Sequence, residues 1–233
     1  MKRPAVRGFT LVELLVALFA MALLAVMSWR GLDGMTRAQA QTQARSDEML
    51  TLQVGLAQWG ADLDALVQLP RTTALEWNGR VLRMTRRATS AATDGMLVVA
   101  WTRRVVNGSA TWLRWQSPQL TTRGDLDQAW QRADIWSQNP SDEERTREVA
   151  ITPMDEWQIF FYRGDAWTNP LSSDVSTPAP SPSPSPNPDG PGTPGAGTVP
   201  DGVRLVLTLP PGQAVSGRIT RDWVRPTLSG NKP

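Results

Sequence analysis

The 233-residue chain has no cysteine, no histidine and only one tyrosine. Without cysteine there is neither a disulfide framework nor a thiolate metal site. Without histidine the commonest general base and the commonest metal ligand are both missing. No phosphate-binding glycine loop of the GxxxxGK type and no nucleophile elbow occurs in the sequence. The candidate acids do not converge. Asp62 and Asp64 fall two apart on a predicted helix and point to different faces, a poor acid/base pair. Asp125, Asp127 and Asp134 resemble an oxygen-rich metal loop but lack its glycine and distal glutamate, so they read as a solvated acidic face. Neither sign of charge dominates, with 24 Lys and Arg against 22 Asp and Glu. A strongly basic nucleic-acid surface is therefore not supported. The expectation is a non-enzyme without metal or cofactor.

What the chain does have is a long apolar run. Phe9 to Trp29 is 21 residues with Glu13 as its only ionisable side chain. As a helix it would extend about 32 Å at roughly 1.5 Å per residue, which matches a bilayer core of about 30 Å. A secretory signal has a shorter apolar stretch and a small-residue cut after it; here Ala20-Met21-Ala22 falls in the middle, so the segment reads as a retained anchor. Lys2, Arg3 and Arg7 precede it and favour a cytoplasmic amino terminus. Trp29 stands where an interfacial aromatic would anchor the far end. A lone carboxylate inside such a segment is costly and needs a partner, unless it reaches back to the headgroups.

The eight-residue basic leader Met1–Gly8, the Gly8-Phe9 junction and Glu13 together resemble the leader of type IV prepilins and type II secretion pseudopilins. The resemblance implies that a prepilin peptidase cuts between Gly8 and Phe9 and N-methylates Phe9. Glu13 becomes the fifth mature residue, where the family places its glutamate, and the Phe9 ammonium of one subunit can pair with Glu13 of a neighbour. Such a pair offsets two desolvation costs and fixes subunit register. Loss of Lys2, Arg3 and Arg7 leaves 21 basic against 22 acidic side chains, a net charge of −1. The isoelectric point near 9.6 thus describes the precursor.

No proline occurs from Phe9 to Leu69, so one helix can continue beyond the anchor, with Pro70 as the stop. Met49, Leu52, Leu56, Trp59, Leu63 and Leu66 repeat at three and four residues and predict a stripe packed on the protein's own sheet. Strands follow. Asn78-Gly79 joins residues 74–77 to 80–84, and Asn107-Gly108 joins 96–106 to 109–116, both strong hairpin signals. Around Leu113 the alternation with Trp112 and Arg114 predicts one polar face. A short helix is expected at 127–136, then strands at 156–163, 203–209 and 218–224. Residues 176–200 hold nine prolines and read as an insertion in polyproline II or without fixed structure. The 33 residues after it are too few to fold alone, so their strand must dock on the earlier sheet. Trp101, Trp112 and Trp115, in strands, read as core.

The expected fold class is α+β and pilin-like: a long amino-terminal transmembrane and amphipathic helix packed on antiparallel β-sheet. The expected division is leader 1–8, anchor 9–29, helix continuation 30–69, and a body 70–233 that includes the 176–200 insertion. Ser28-Trp29-Arg30-Gly31-Leu32-Asp33, Trp112-Leu113-Arg114-Trp115, Phe161-Tyr162-Arg163 and Pro200-Asp201-Gly202-Val203 resemble the J-type minor pseudopilins of type II secretion (general secretion pathway protein J). That resemblance implies a structural role at the tip of a periplasmic pseudopilus. The partners it implies are I- and K-type pseudopilins, the major pseudopilin, the prepilin peptidase and an inner-membrane platform. The location it implies is the bacterial inner membrane, single-pass, with a cytoplasmic amino terminus and a periplasmic body. A minor pilin of a type IV pilus or of a DNA-uptake pseudopilus is the alternative.

Overall fold

Thr10 opens helix α1 (Leu11–Asp64), 54 residues without a proline. The computed structural model describes residues 9–70, 72–88, 95–172 and 199–226. Residues 1–8, expected to be a leader, and most of the proline-rich stretch lie outside that set. The chain up to Asp47 forms one unit and the body begins at Glu48. In the first unit residues 9–45 are exposed throughout, including Phe9 at 84% and Trp29 at 75%. In the second, the last turns of α1 are built into the core through Leu52, Gly55, Trp59, Asp62 and Leu63. The expected stripe is thus present, with Leu56 and Leu66 half-buried and Met49 left exposed.

The helix stops at Asp64, not at residue 69. Its exit is captured by strand pairing before Pro70 is reached. Val67 N–H donates to Thr85 O at 3.0 Å and Arg87 N–H donates to Ala65 O at 2.9 Å, with Leu66 opposite Arg86. Backbone groups that a longer helix would satisfy internally are satisfied here by the sheet.

Among the described residues nine strands form two antiparallel sheets. The first is a meander in chain order: β1 (Leu75–Trp77), β2 (Val81–Arg87), β3 (Met96–Val106), β4 (Ser109–Gln116) and β5 (Glu148–Pro153). The β3–β4 turn has Asn107 at φ 51° and Gly108 at φ 81°, the positive pair that a tight hairpin demands. Helices α2 (Arg123–Gln138) and α3 (Asp142–Arg145) separate β4 from β5. The second sheet runs β7 (Ala166–Thr168), β6 (Glu156–Arg163), β8 (Gly202–Leu209), β9 (Gly217–Val224). As expected, the strand after the proline-rich stretch docks back, lying between β6 and β9. Strand β5 was not foreseen, and α2 is longer than residues 127–136.

Two cores result. The larger joins the end of α1, the inner faces of both sheets and a row of large side chains: Trp59, Trp101, Trp112, Leu205 and Leu207 are essentially inaccessible. The smaller packs Val98, Ala100, Leu113 and Trp115 of the first sheet against Ala129, Ala133 and Trp136 of α2. The first sheet is therefore covered on both faces, which is why residues 97–101 of β3 read as an unbroken apolar run. This corrects the polar face expected around Leu113. Trp112 and Leu113 are both buried, one in each core, and Arg114 points inward to a carboxylate partner.

Candidate processing and assembly site

At the head of α1, Thr10 and Glu13 form a reciprocal cap. The Thr10 N–H and Oγ1–H donate to Glu13 Oε2 at 3.0 and 2.9 Å, and Glu13 N–H donates to Thr10 Oγ1 at 3.3 Å. This is a capping box, which satisfies otherwise orphaned amides at the helix start. Its signature, Thr10-Leu11-Val12-Glu13, was readable in the sequence and was not used there. Phe9 is exposed beside it. Of the residues singled out in the sequence, Phe9 and Glu13 are thus one turn apart. Gly8, Lys2, Arg3 and Arg7 lie outside the described residues. Further along, Arg37 pairs with Asp33 at 2.7 Å across one helical turn. The helix meets the length and apolarity needed to cross a membrane.

The other end of α1 carries the feature that sequence reasoning missed. Asp62 is fully buried and accepts five hydrogen bonds from four side chains. Arg114 donates from Nε at 2.8 Å and from Nη2 at 2.9 Å, Trp101 Nε1 at 3.0 Å and Gln58 Nε2 at 2.8 Å. Arg86 completes the set. One carboxylate thus meets two guanidinium groups from β2 and β4, a charge-assisted cluster in a dry environment. Asp64 points the other way and accepts from Trp223 Nε1 of β9 at 2.8 Å. The two acids do face different sides, as expected, and each ties the helix to a different sheet.

Asp125 and Asp134 have local structural work, and Asp127 is exposed on α2. Asp125 caps α2 in a second capping box with Thr122. Asp134 accepts from Asn78 Nδ2 at 2.8 Å. Among the described residues no group of three or more acids comes close enough to hold a metal ion. Trp101, Trp112 and Trp115 are core residues rather than a stacking platform. Several indole N–H groups are spent on internal acceptors, such as Trp136 on Glu148 at 2.7 Å and Trp130 on Thr85 at 3.0 Å. On the second sheet Arg204 grips Asp222 with two bonds of 2.7 Å and lies 4.2 Å from the centre of the Trp167 ring. The Arg204 hydrogen bonds hold the Asp222 carboxyl below its ordinary value.

Residues 3–29 match the family described as the prokaryotic N-terminal methylation motif. No curated protein matches the chain. Among solved structures, the chain is similar to one from the crystal structure of the GspK-GspI-GspJ complex of the enterotoxigenic Escherichia coli type 2 secretion system. The identity is 17%, the TM-score 0.43, and the match covers 77% of this chain and 99% of the other. Residues 3–29 thus match a prokaryotic N-terminal methylation motif, and the described residues form an α+β fold in which a long helix with an apolar first half is followed by two antiparallel sheets.

Proposed function

We propose that this chain is a minor pseudopilin of type II secretion, of the J type, cut between Gly8 and Phe9 and N-methylated at Phe9. The observation that carries the reading is the junction of Gly8, Phe9 and Glu13 inside the matched segment 3–29. The exposed apolar surface from Phe9 to Trp29 supports it, because an isolated helix with that surface needs lipid or neighbouring helices around it. On this reading the anchor lies in the inner membrane with the amino terminus in the cytoplasm and the body in the periplasm. The Phe9 ammonium of one subunit pairs with Glu13 of its neighbour. The body joins I- and K-type siblings at the tip of a filament of major pseudopilin, and the chain contributes mechanical work rather than chemistry.

Intact-mass spectrometry of protein extracted from membranes tests the processing step. The expected product begins at Phe9 and carries one methyl group, and Gly8→Val blocks its formation. A retained Met1, or a cut inside residues 17–30, refutes the reading. Co-purification with I- and K-type candidates tests the subtype: absence of any sibling complex from a correctly processed chain overturns the tip role.

A further inference from the structure

Among the described residues, two strand edges are left without a neighbouring strand at the seam between the sheets. Strand β3 outruns β2: their pairing ends at Val81 opposite Thr102, whereas β4 accompanies β3 on to Val106. Residues 103–106 therefore have a neighbour on one side only. Strand β6 pairs with β8 from Glu156 to Tyr162, but β7 covers its other side only from Phe161 to Arg163. Residues 156–160 are open on that side. Both free edges border one cleft of about 860 Å³, with Arg80, Arg103 and Val105 on one wall and Glu156, Trp157 and Gln158 on the other. The open stretches extend roughly 13–17 Å at about 3.3 Å per residue, the length of an ordinary short strand.

Of the charged residues that border this cleft, Arg104 is paired with Glu148, and the others have no ion-pair partner among the described residues. Arg83, Arg86, Arg104, Arg114 and Arg204 each have a carboxylate partner. Among the described residues the side chains of Arg80 and Arg103 form no ion pair, nor do those of Asp155 and Glu156 across the opening. No proline interrupts residues 103–106 or 156–160, although proline is a common way to blunt a free edge. Trp157, half-buried and packed edge-on against Trp77 at 4.7 Å, supplies an aromatic anchor in the wall.

We infer that this cleft receives an extended segment of a second, different protein as an added strand on the free edge of β6. The segment carries an acidic side chain beside Arg80 and Arg103 and a basic one beside Asp155 and Glu156. Main-chain hydrogen bonds to β6 supply the binding, and the two opposed charge pairs set the direction of the strand. The inference is independent of the secretion role, because it needs only the cleft and its edges.

The test uses the full chain in detergent micelles and a defined probe. That probe is a seven-residue acetylated peptide of alternating threonine and valine, with an aspartate near one end and a lysine near the other. Saturable binding is expected to change Trp157 emission and to slow hydrogen exchange of open-edge amides within residues 156–160. Arg103→Glu weakens the affinity about fivefold, the scale of one exposed ion pair, and exchanging the aspartate for lysine restores it. A copy of the peptide with methylated backbone nitrogens does not bind. The inference is overturned if the methylated peptide binds equally well, if exchange at 156–160 is unaffected, or if Arg103→Glu leaves the affinity unchanged. It is equally overturned if these amides become protected with rising protein concentration alone, since a second copy of this chain then fills the cleft.

Discussion

Replacing Asp62 by alanine removes the carboxylate on which two buried guanidinium groups converge. Arg86 and Arg114 are 7% and 11% exposed at the side chain, so water cannot take over. Breaking a buried pair in this way costs about 3–5 kcal/mol, a large part of the roughly 5–15 kcal/mol that holds a domain folded. The indole of Trp101 and the amide of Gln58 lose their acceptor as well. Urea unfolding of the full chain in detergent, followed by tryptophan emission, reads the loss directly. With a slope of about 2 kcal/mol per molar urea, the midpoint falls by about 1.5–2.5 M at unchanged slope. Removing all three charges together, with Asp62→Leu, Arg86→Met and Arg114→Met, recovers most of that stability, because the desolvation cost of the charges goes with them. A midpoint shift below about 0.5 M for Asp62→Ala, at unchanged slope, would refute the claim that this cluster pins α1 to the first sheet.

Three further outcomes are expected. Glu13→Gln keeps the capping box with Thr10 while removing the charge, whereas Glu13→Ala loses both; if pairing with a neighbour's ammonium drives assembly, secretion fails in both variants, and rescue by glutamine would assign the role to the cap. Gly55→Ala destabilises the body by about 1–3 kcal/mol, because its new methyl would collide with Ile151 Cγ2 beneath Trp112; thermal unfolding should show partial recovery when Ile151→Ala is added. Asp222→Asn flattens the acid side of the stability profile: the native carboxyl is held below its usual value by Arg204, so its contribution is complete above about pH 4 and fades as the pH falls through the lower folded value. An identical acid unfolding curve for that variant, measured by circular dichroism, would show that the pair contributes nothing in solution.

Features that depend only on neighbours along the chain are legible in its sequence. The Gly8-Phe9 junction and the bilayer-length run of residues 9–29 are contiguous signals. The turns at Asn78-Gly79 and Asn107-Gly108 follow from the backbone freedom of those residues. The stripe from Leu52 to Leu63 follows from helical period alone. The capping box at Thr10 is equally local, carried by Thr10-Leu11-Val12-Glu13. Tertiary structure alone decided the rest. Asp62 finds Arg86, Trp101 and Arg114 at separations of 24, 39 and 52 residues, and no local pattern marks which arginine faces inward. Strand β5 is only six residues, ends on Pro153 and exists because β4 offers it an edge. By helix propensity Gly55 is merely unfavourable; only the tertiary structure, with Ile151 closed over it, leaves no room for a side chain there. The helix ended at Asp64 rather than at Pro70 because a strand 20 residues further on, near Thr85 and Arg87, took up its backbone. In each case the deciding energy is burial or pairing with a group distant in sequence, which periodicity cannot encode.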